Sequence, residues 1–252
     1  MKMRNILLIW IVNLILINGV WAGNNPQDTL KFFYINAGYS VNIPGGDMAE
    51  RFGWNSNVSW QFGYKTKKNF TFGINTNFFF GNTIKDTSVM MNLYTQHGFI
   101  IDKNGSPAEV NLYERGYMLS VYAGKILPLL GPNINSGIVV EGGVGFVQHK
   151  IKILDQYKSV PALEGDYLKG YDRLTNGLLL HQFIGYQYIG NSHFVNFKVG
   201  FEFFQGFTQN RRDYNYDTRE RDTRQRTDLL YGLRLFWTIP LYKRRALEYY
   251  VY

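Results

Sequence analysis

Cysteine is absent from this chain of 252 residues, which removes a disulfide framework, a thiolate metal site and thiol chemistry together. A lipid-modified N-terminal cysteine goes with them. Catalytic signatures are missing as well: there is no GxSxG elbow and no phosphate-binding glycine loop. The histidines, His97, His149, His181 and His193, have no spacing of a metal-ligand set, so no catalytic residue, metal or cofactor is expected. Arginines gather in one loop and at one terminus instead of along a stripe, which argues against nucleic acid. Helix formers are poorly represented. What the chain has instead is 26 glycines and 17% aromatic residues, a composition of sheets and turns that one all-β domain of this length can absorb.

The N-terminus, "MKMRNILLIWIVNLILINGVWAGNN", opens with Lys2 and Arg4, continues as an apolar run and ends on small residues at Val20 and Ala22. This pattern predicts a secretory signal at 1–22 cut after Ala22; the competing reading is a retained membrane anchor. Cleavage removes two of the 27 Lys and Arg and no acid, leaving 25 cations against 19 anions and a net charge of +6.

Beyond the signal one pattern recurs. In "VNFKVGFEF", Val195, Phe197, Val199, Phe201 and Phe203 alternate with Asn196, Lys198, Gly200 and Glu202. Successive side chains of a strand point to opposite faces, so this segment has one greasy face and one carrying both charges. Similar runs start near Phe33, Val58, Phe70, Tyr117, Ile138, Leu178 and Leu229, the one at Leu178 being broken by Gln182. A soluble sandwich also alternates. Three features favour a membrane barrel: apolar faces long enough for tilted spanning strands, opposite faces rich in Gly, Ser, Asn and Gln, and aromatics such as Tyr39, Trp60, Tyr117 and Trp237 near the ends of the apolar stripes. The connections then alternate long and short. Long ones cover roughly 42–57, 81–115, 149–176 and 205–227. The prediction is an all-β, transmembrane, antiparallel up-and-down β-barrel of about eight strands over 23–242, with long extracellular loops, short periplasmic turns and both termini periplasmic.

A barrel of about this strand number has room only for side chains. Glu141, Lys198, Glu202 and Arg234 fall on lumen positions and must pair there, because an isolated buried charge costs several kcal/mol. They are the candidate polar network, a packed plug being favoured over an ion path. His181 also faces the lumen, in an expected hydrogen-bonded structural role. His149 with Glu141 and a loop serine could imitate the site of a lipid A-modifying enzyme, without any local motif for it.

Two segments remain. The loop from Thr208 to Arg226 carries both charge signs and almost no aliphatics, so it is expected to be solvated or engaged, its cations meeting lipopolysaccharide phosphates. After Tyr242 the chain continues as a tail, 243–252, combining Lys243, Arg244 and Arg245 with Tyr249, Tyr250, Val251 and Tyr252. Exposed aromatics of this kind mark a contact; either the tail binds a periplasmic partner or it folds back on the barrel rim.

The run "HQFIGYQYIGNSHFVNFKVGFEFFQGFTQNRRDYNYDT", then "YGLRLFWTIPLYKR" and the Tyr-rich end, resembles small outer-membrane barrels of Bacteroidetes, in particular the PorG family of the type IX secretion system. The resemblance is strongest over 178–252. It implies a non-enzymatic anchor for a periplasmic ring formed by the PorK lipoprotein and PorN. Gly232, Leu235 and Trp237 match the final-strand signal read by barrel-assembly machinery, while Leu230 stands where that signal is usually polar. The competing function is a barrel whose long loops bind surface ligands or lipopolysaccharide.

Overall fold

A computed structural model of the protein describes residues 30–86, 88–190 and 195–241. The signal with Ala22, and the tail with Lys243, Arg244, Arg245, Tyr249, Tyr250 and Tyr252, lie outside the described residues. Eight antiparallel strands follow one another around a closed barrel: β1 (Phe32–Gly46), β2 (Asn55–Lys65), β3 (Phe70–Gly81), β4 (Val110–Leu127), β5 (Gly137–Asp155), β6 (Thr175–Ile189), β7 (Asn196–Asn210) and β8 (Gln225–Leu241). Closure comes from β1, which pairs with β2 on one side and with β8 on the other, Phe33 opposite Leu241 and Val41 opposite Leu233. One short helix, α1 (Asp47–Arg51), sits in the first long connection. Among the described residues no helix is long and apolar enough to cross a membrane.

The period-2 pattern folds with its greasy side out. Phe201, Leu233, Leu235 and Trp237 are 54–60% exposed, while Lys198, Glu202 and Arg234 between them are wholly enclosed. A water-soluble protein does not present such a continuous apolar surface. On β8 the outward stripe runs from Tyr231 to Leu241, which at about 3.4 Å per residue and a tilt of roughly 40° covers about 26 Å, the apolar height of a transmembrane barrel. This is an inside-out barrel crossing a bilayer.

Narrow fit shapes the lumen. Added to Gly38, a Cβ would lie 2.3 Å from the ring of Phe236, and at Gly63 it would meet Tyr122 and Tyr34 within 2.6 Å. Inward glycines on one strand thus make room for aromatic rings from others.

At the short-turn end, Asn69 closes the β2–β3 turn with φ 61°, a left-handed conformation that Asn tolerates, and its Nδ2 donates to Ile134 O at 2.9 Å in the neighbouring turn. Phe32, Tyr34 and Ile189 cluster just inside, and Lys65 Nζ donates to Leu30 O and Asn135 Oδ1, both at 2.9 Å.

The ladder extends further at the other end than the sequence pattern suggests. Segments around 42–46, 110–115, 149–155 and 205–210 expected in loops are strand, with Val110 still paired to Asp155. The reason is an inversion of polarity. Above Phe146 the outward residues of β5 become Gln148, Lys150 and Lys152, while the inward ones become Val147, Ile151 and Ile153. Past the hydrocarbon the barrel turns right side out, and its interior joins a core of Met48, Phe52, Phe79, Met118, Leu179, Phe204 and Leu230 beneath the long connections. The sixth strand, expected to be irregular around Gln182, is continuous from Thr175 to Ile189.

A cation on the mid-height outer face separates this arrangement from a soluble one. Leu235→Arg is expected to destabilise the barrel by about 2–4 kcal/mol, measured by reversible folding into lipid vesicles, whereas the same change at Lys152, above the apolar stripe, should be within about 0.5 kcal/mol of neutral.

Candidate functional site

The charged residues of the lumen form two groups. In the lower one Lys198 on β7 reaches Glu141 on β5, its Nζ donating to Oε1 at 2.8 Å and to Oε2 at 2.9 Å. The third donation goes to Gln61 Oε1 on β2, also at 2.8 Å, and Asn36 on β1 donates to the same oxygen at 2.9 Å. This truss crosses the lumen, joining β7 to β5 and β2, neither of which is its neighbour in the ladder. In the upper group Arg234 Nε lies 2.7 Å from Glu202 Oε2, whose Oε1 accepts from Ser40 Oγ at 2.7 Å.

Aromatic rings separate and cover the two groups. Lys198 Nζ lies 4.9 Å from the ring centre of Phe183 and 4.7 Å from that of Phe236. Arg234 sits over the other side of the same assembly, 5.1 Å from Phe236 and 5.6 Å from Phe204. Cation–π contact strengthens when water is excluded. Both ion pairs are wholly enclosed, so side chains from several strands pack into the middle of the barrel. His181 differs from expectation: it stacks on Phe204 at 4.5 Å, and neither ring nitrogen has a hydrogen-bond partner among the described residues. Its neighbours at this level are the rings and cations of the plug, which offer it no acceptor.

A second buried cluster lies just above the apolar stripe. Asp228 accepts from Arg51 Nη2 at 2.7 Å, Thr208 Oγ1 at 2.6 Å and His149 Nε2 at 2.9 Å. Burial holds His149 below the ordinary imidazole pKa and outweighs the neighbouring carboxylate, so the neutral ring donates to Asp228. Its edge meets Phe52 at 5.6 Å. His149 and Glu141 stand eight residues apart on β5, about 26 Å along the strand, and do not form a pair. Close by, Glu114 accepts from Asn55 Nδ2 at 3.0 Å, and burial raises its pKa to about 8.

The cationic loop is not a free solvated segment. Arg212 holds Asp172 through Nε at 2.7 Å and Nη2 at 2.5 Å, Arg224 bonds Asp47 at 2.7 Å, Arg173 reaches back to Asp217, and Arg226 pairs with Asp222. Tyr216 packs against Tyr171 with ring centres 5.6 Å apart. Three of the loop's charges, Arg212, Asp217 and Arg224, stitch it to other segments, which a census of sequence charge cannot reveal.

No family model matches the chain, and no curated protein matches it either. Among solved structures, the attachment invasion locus protein Ail of Yersinia pestis, determined with the heparin analogue sucrose octasulfate, superposes with a TM-score of 0.43 at 10% identity over 83% of this chain and 99% of that one. Neisserial surface protein A gives 0.43, 10%, 83% and 97%. The outer membrane protein OprG of Pseudomonas aeruginosa gives 0.36, 10%, 82% and 96%.

Lys198→Met should cost about 3–5 kcal/mol in vesicle refolding because it strands Glu141 in the lumen, and adding Glu141→Gln should recover most of that loss. For Glu114 the folded state keeps a proton that the unfolded chain gives up, so its contribution is full below the unfolded pKa and is lost as pH rises toward 8. Glu114→Gln is therefore expected to flatten the decline of stability between pH 5 and 8, read from urea midpoints across that range.

Proposed function

We propose that the protein is a non-enzymatic outer-membrane barrel that acts as a closed anchor, its long connections at the cell surface and its short turns and termini in the periplasm. The filled middle of the barrel carries this reading: the pairs Lys198–Glu141 and Arg234–Glu202 with Phe183, Phe204 and Phe236 occupy the space a conduit needs. A role without catalysis agrees with the environment of His149, enclosed and bound to Asp228, away from lipid.

The resemblance of residues 178–252 to PorG-type barrels of Bacteroidetes supplies the partner. On that reading the periplasmic face holds a PorK/PorN-like ring of the type IX secretion machinery, with Lys243, Arg244, Arg245, Tyr249, Tyr250 and Tyr252 as its contact. Basic and aromatic residues together suit an interface anchor.

A second reading, ligand binding by the surface loops, is favoured by a groove of about 350 Å³ lined by Arg173, Glu220, Arg221, Asp222, Arg224 and Arg226. The carboxylates within it compete with any anion.

Isolation of outer-membrane complexes separates the two. Ring proteins should co-purify with the full chain and be lost on deletion of 243–252, while the barrel stays folded; failure of the full chain to capture them contradicts the ring reading. In planar bilayers the purified barrel should show no steady conductance. A protease site placed in the 102–106 connection should be cut on intact cells if the long connections are extracellular.

A further inference from the structure

The outward face of β4 and β5 carries a cationic cluster that the ladder itself does not need. Arg115 stands directly opposite Lys150, and Lys152 lies one outward step beyond, opposite Tyr113. Like charges directly across a strand pair are destabilising. Arg115 is the next outward residue above Tyr117 on β4, and on β5 Gln148 separates Phe146 from Lys150, the height at which a bilayer changes from acyl chains to headgroups.

Internal partners do not account for this charge. Lys152 has no ion-pair or hydrogen-bond partner among the described residues. Lys150 is 46% exposed and stands 3.8 Å from Asp172, a carboxylate already held by both arms of Arg212. Arg115 donates only to backbone, to Glu114 O at 2.6 Å and Gly81 O at 3.4 Å, and its guanidinium is braced over Phe80 and Tyr113 at 5.9 and 5.0 Å. On the β6 side the adjoining positions are polar, where Arg211 donates to Asn176 Oδ1 at 2.6 Å and Asn176 donates to Gln148 at 3.4 Å; on the β3 side Phe80 lies opposite Arg115.

We infer that this face is a binding site for the phosphorylated headgroup of a membrane glycolipid, with Arg115, Lys150 and Lys152 taking its phosphate and Tyr117 and Phe146 lying along its first acyl carbons. A lipid phosphate matches both observations: three outward cations on adjacent positions, and an apolar surface immediately below them. Free phosphate satisfies only the first. Of the six arginines in the 208–226 loop, by contrast, Arg212, Arg224 and Arg226 are matched to carboxylates of the loops. This site is independent of ring docking, because it concerns the lipid-facing wall and not the periplasmic end.

The test uses the full-length protein in phosphatidylcholine nanodiscs, titrated with bisphosphorylated lipid A, with dephosphorylated lipid A and with inorganic phosphate, and read by native mass spectrometry of retained lipid. Wild type should favour the bisphosphorylated lipid by about tenfold or more. Lys150→Gln with Lys152→Gln should abolish that preference, while Lys67→Gln with Lys68→Gln, exposed at the opposite end, should leave it intact. Heat-modifiable mobility in detergent gels checks that each variant is folded. Equal retention of the two lipids by wild type overturns the inference, as does an undiminished preference in the folded Lys150/Lys152 variant. Complete displacement of the lipid by millimolar inorganic phosphate also overturns it and assigns the cluster to a free anion. Orientation in the cell does not enter this measurement, so its failure and that of the proposed topology are distinguishable.

Discussion

Hydrocarbon offers no hydrogen bonds, so every backbone donor and acceptor within it must be satisfied by the protein, and a sheet can do this only by closing on itself. Closure of β1 onto β8 meets that requirement and creates another. Side chains that cannot face lipid are forced into a lumen too narrow for much else, and charges placed there must find one another. Lys198 and Glu141 do so across the barrel, Arg234 and Glu202 between adjacent strands. Phe236, seated in the space left by Gly38, contacts both cations and makes the two groups one plug.

The same constraint reverses where the hydrocarbon ends. Inward positions of β5 turn from Glu141 and glycine to Val147, Ile151 and Ile153, and the outward ones turn basic. A conventional core then forms under the long connections. It is tied by Asp228, which gathers α1, β5, β7 and β8 through Arg51, His149 and Thr208. One set of continuous strands therefore serves two solvents. The boundary between them falls where Tyr117 and Phe146 give way to Arg115, Gln148 and Lys150, and this gives the outer wall a place where acyl chain and phosphate can be held together.

Much of the barrel was legible because lipid enforces period 2 on the crossings, with Gln182 of β6 as a break in it. Phe197, Val199, Phe201 and Phe203 announce a lipid face, and the alternation of long and short connections orders the hairpins. Strand ends were less legible, since outside the bilayer the outward face loses its apolar marks while pairing continues, as at Lys150 and Lys152. Lys198, Glu202, Arg234 and Glu141 were visible as lumen residues, but their partners were not. Gln61 and Ser40 look like any other polar lumen residues, and pairing across a barrel depends on strand order and stagger together. Inward phenylalanines opposite inward glycines, such as Phe236 and Gly38, were the available signal for the plug. The loop arginines misled because charge density says nothing about which of them meet a carboxylate, as Arg212, Arg224 and Arg226 do.

The absence of native cysteine allows the central claim to be tested residue by residue along β8. Single cysteines from 231 to 241 would be spin-labelled in the refolded protein in bilayers, and their accessibility to oxygen, which concentrates in hydrocarbon, would be measured by power saturation. The inside-out barrel predicts a period of two, with maxima at positions 233, 235, 237 and 239 and minima at 232, 236 and 238. Maxima on the even positions, or a flat profile with access only to a water-soluble relaxant, would contradict it.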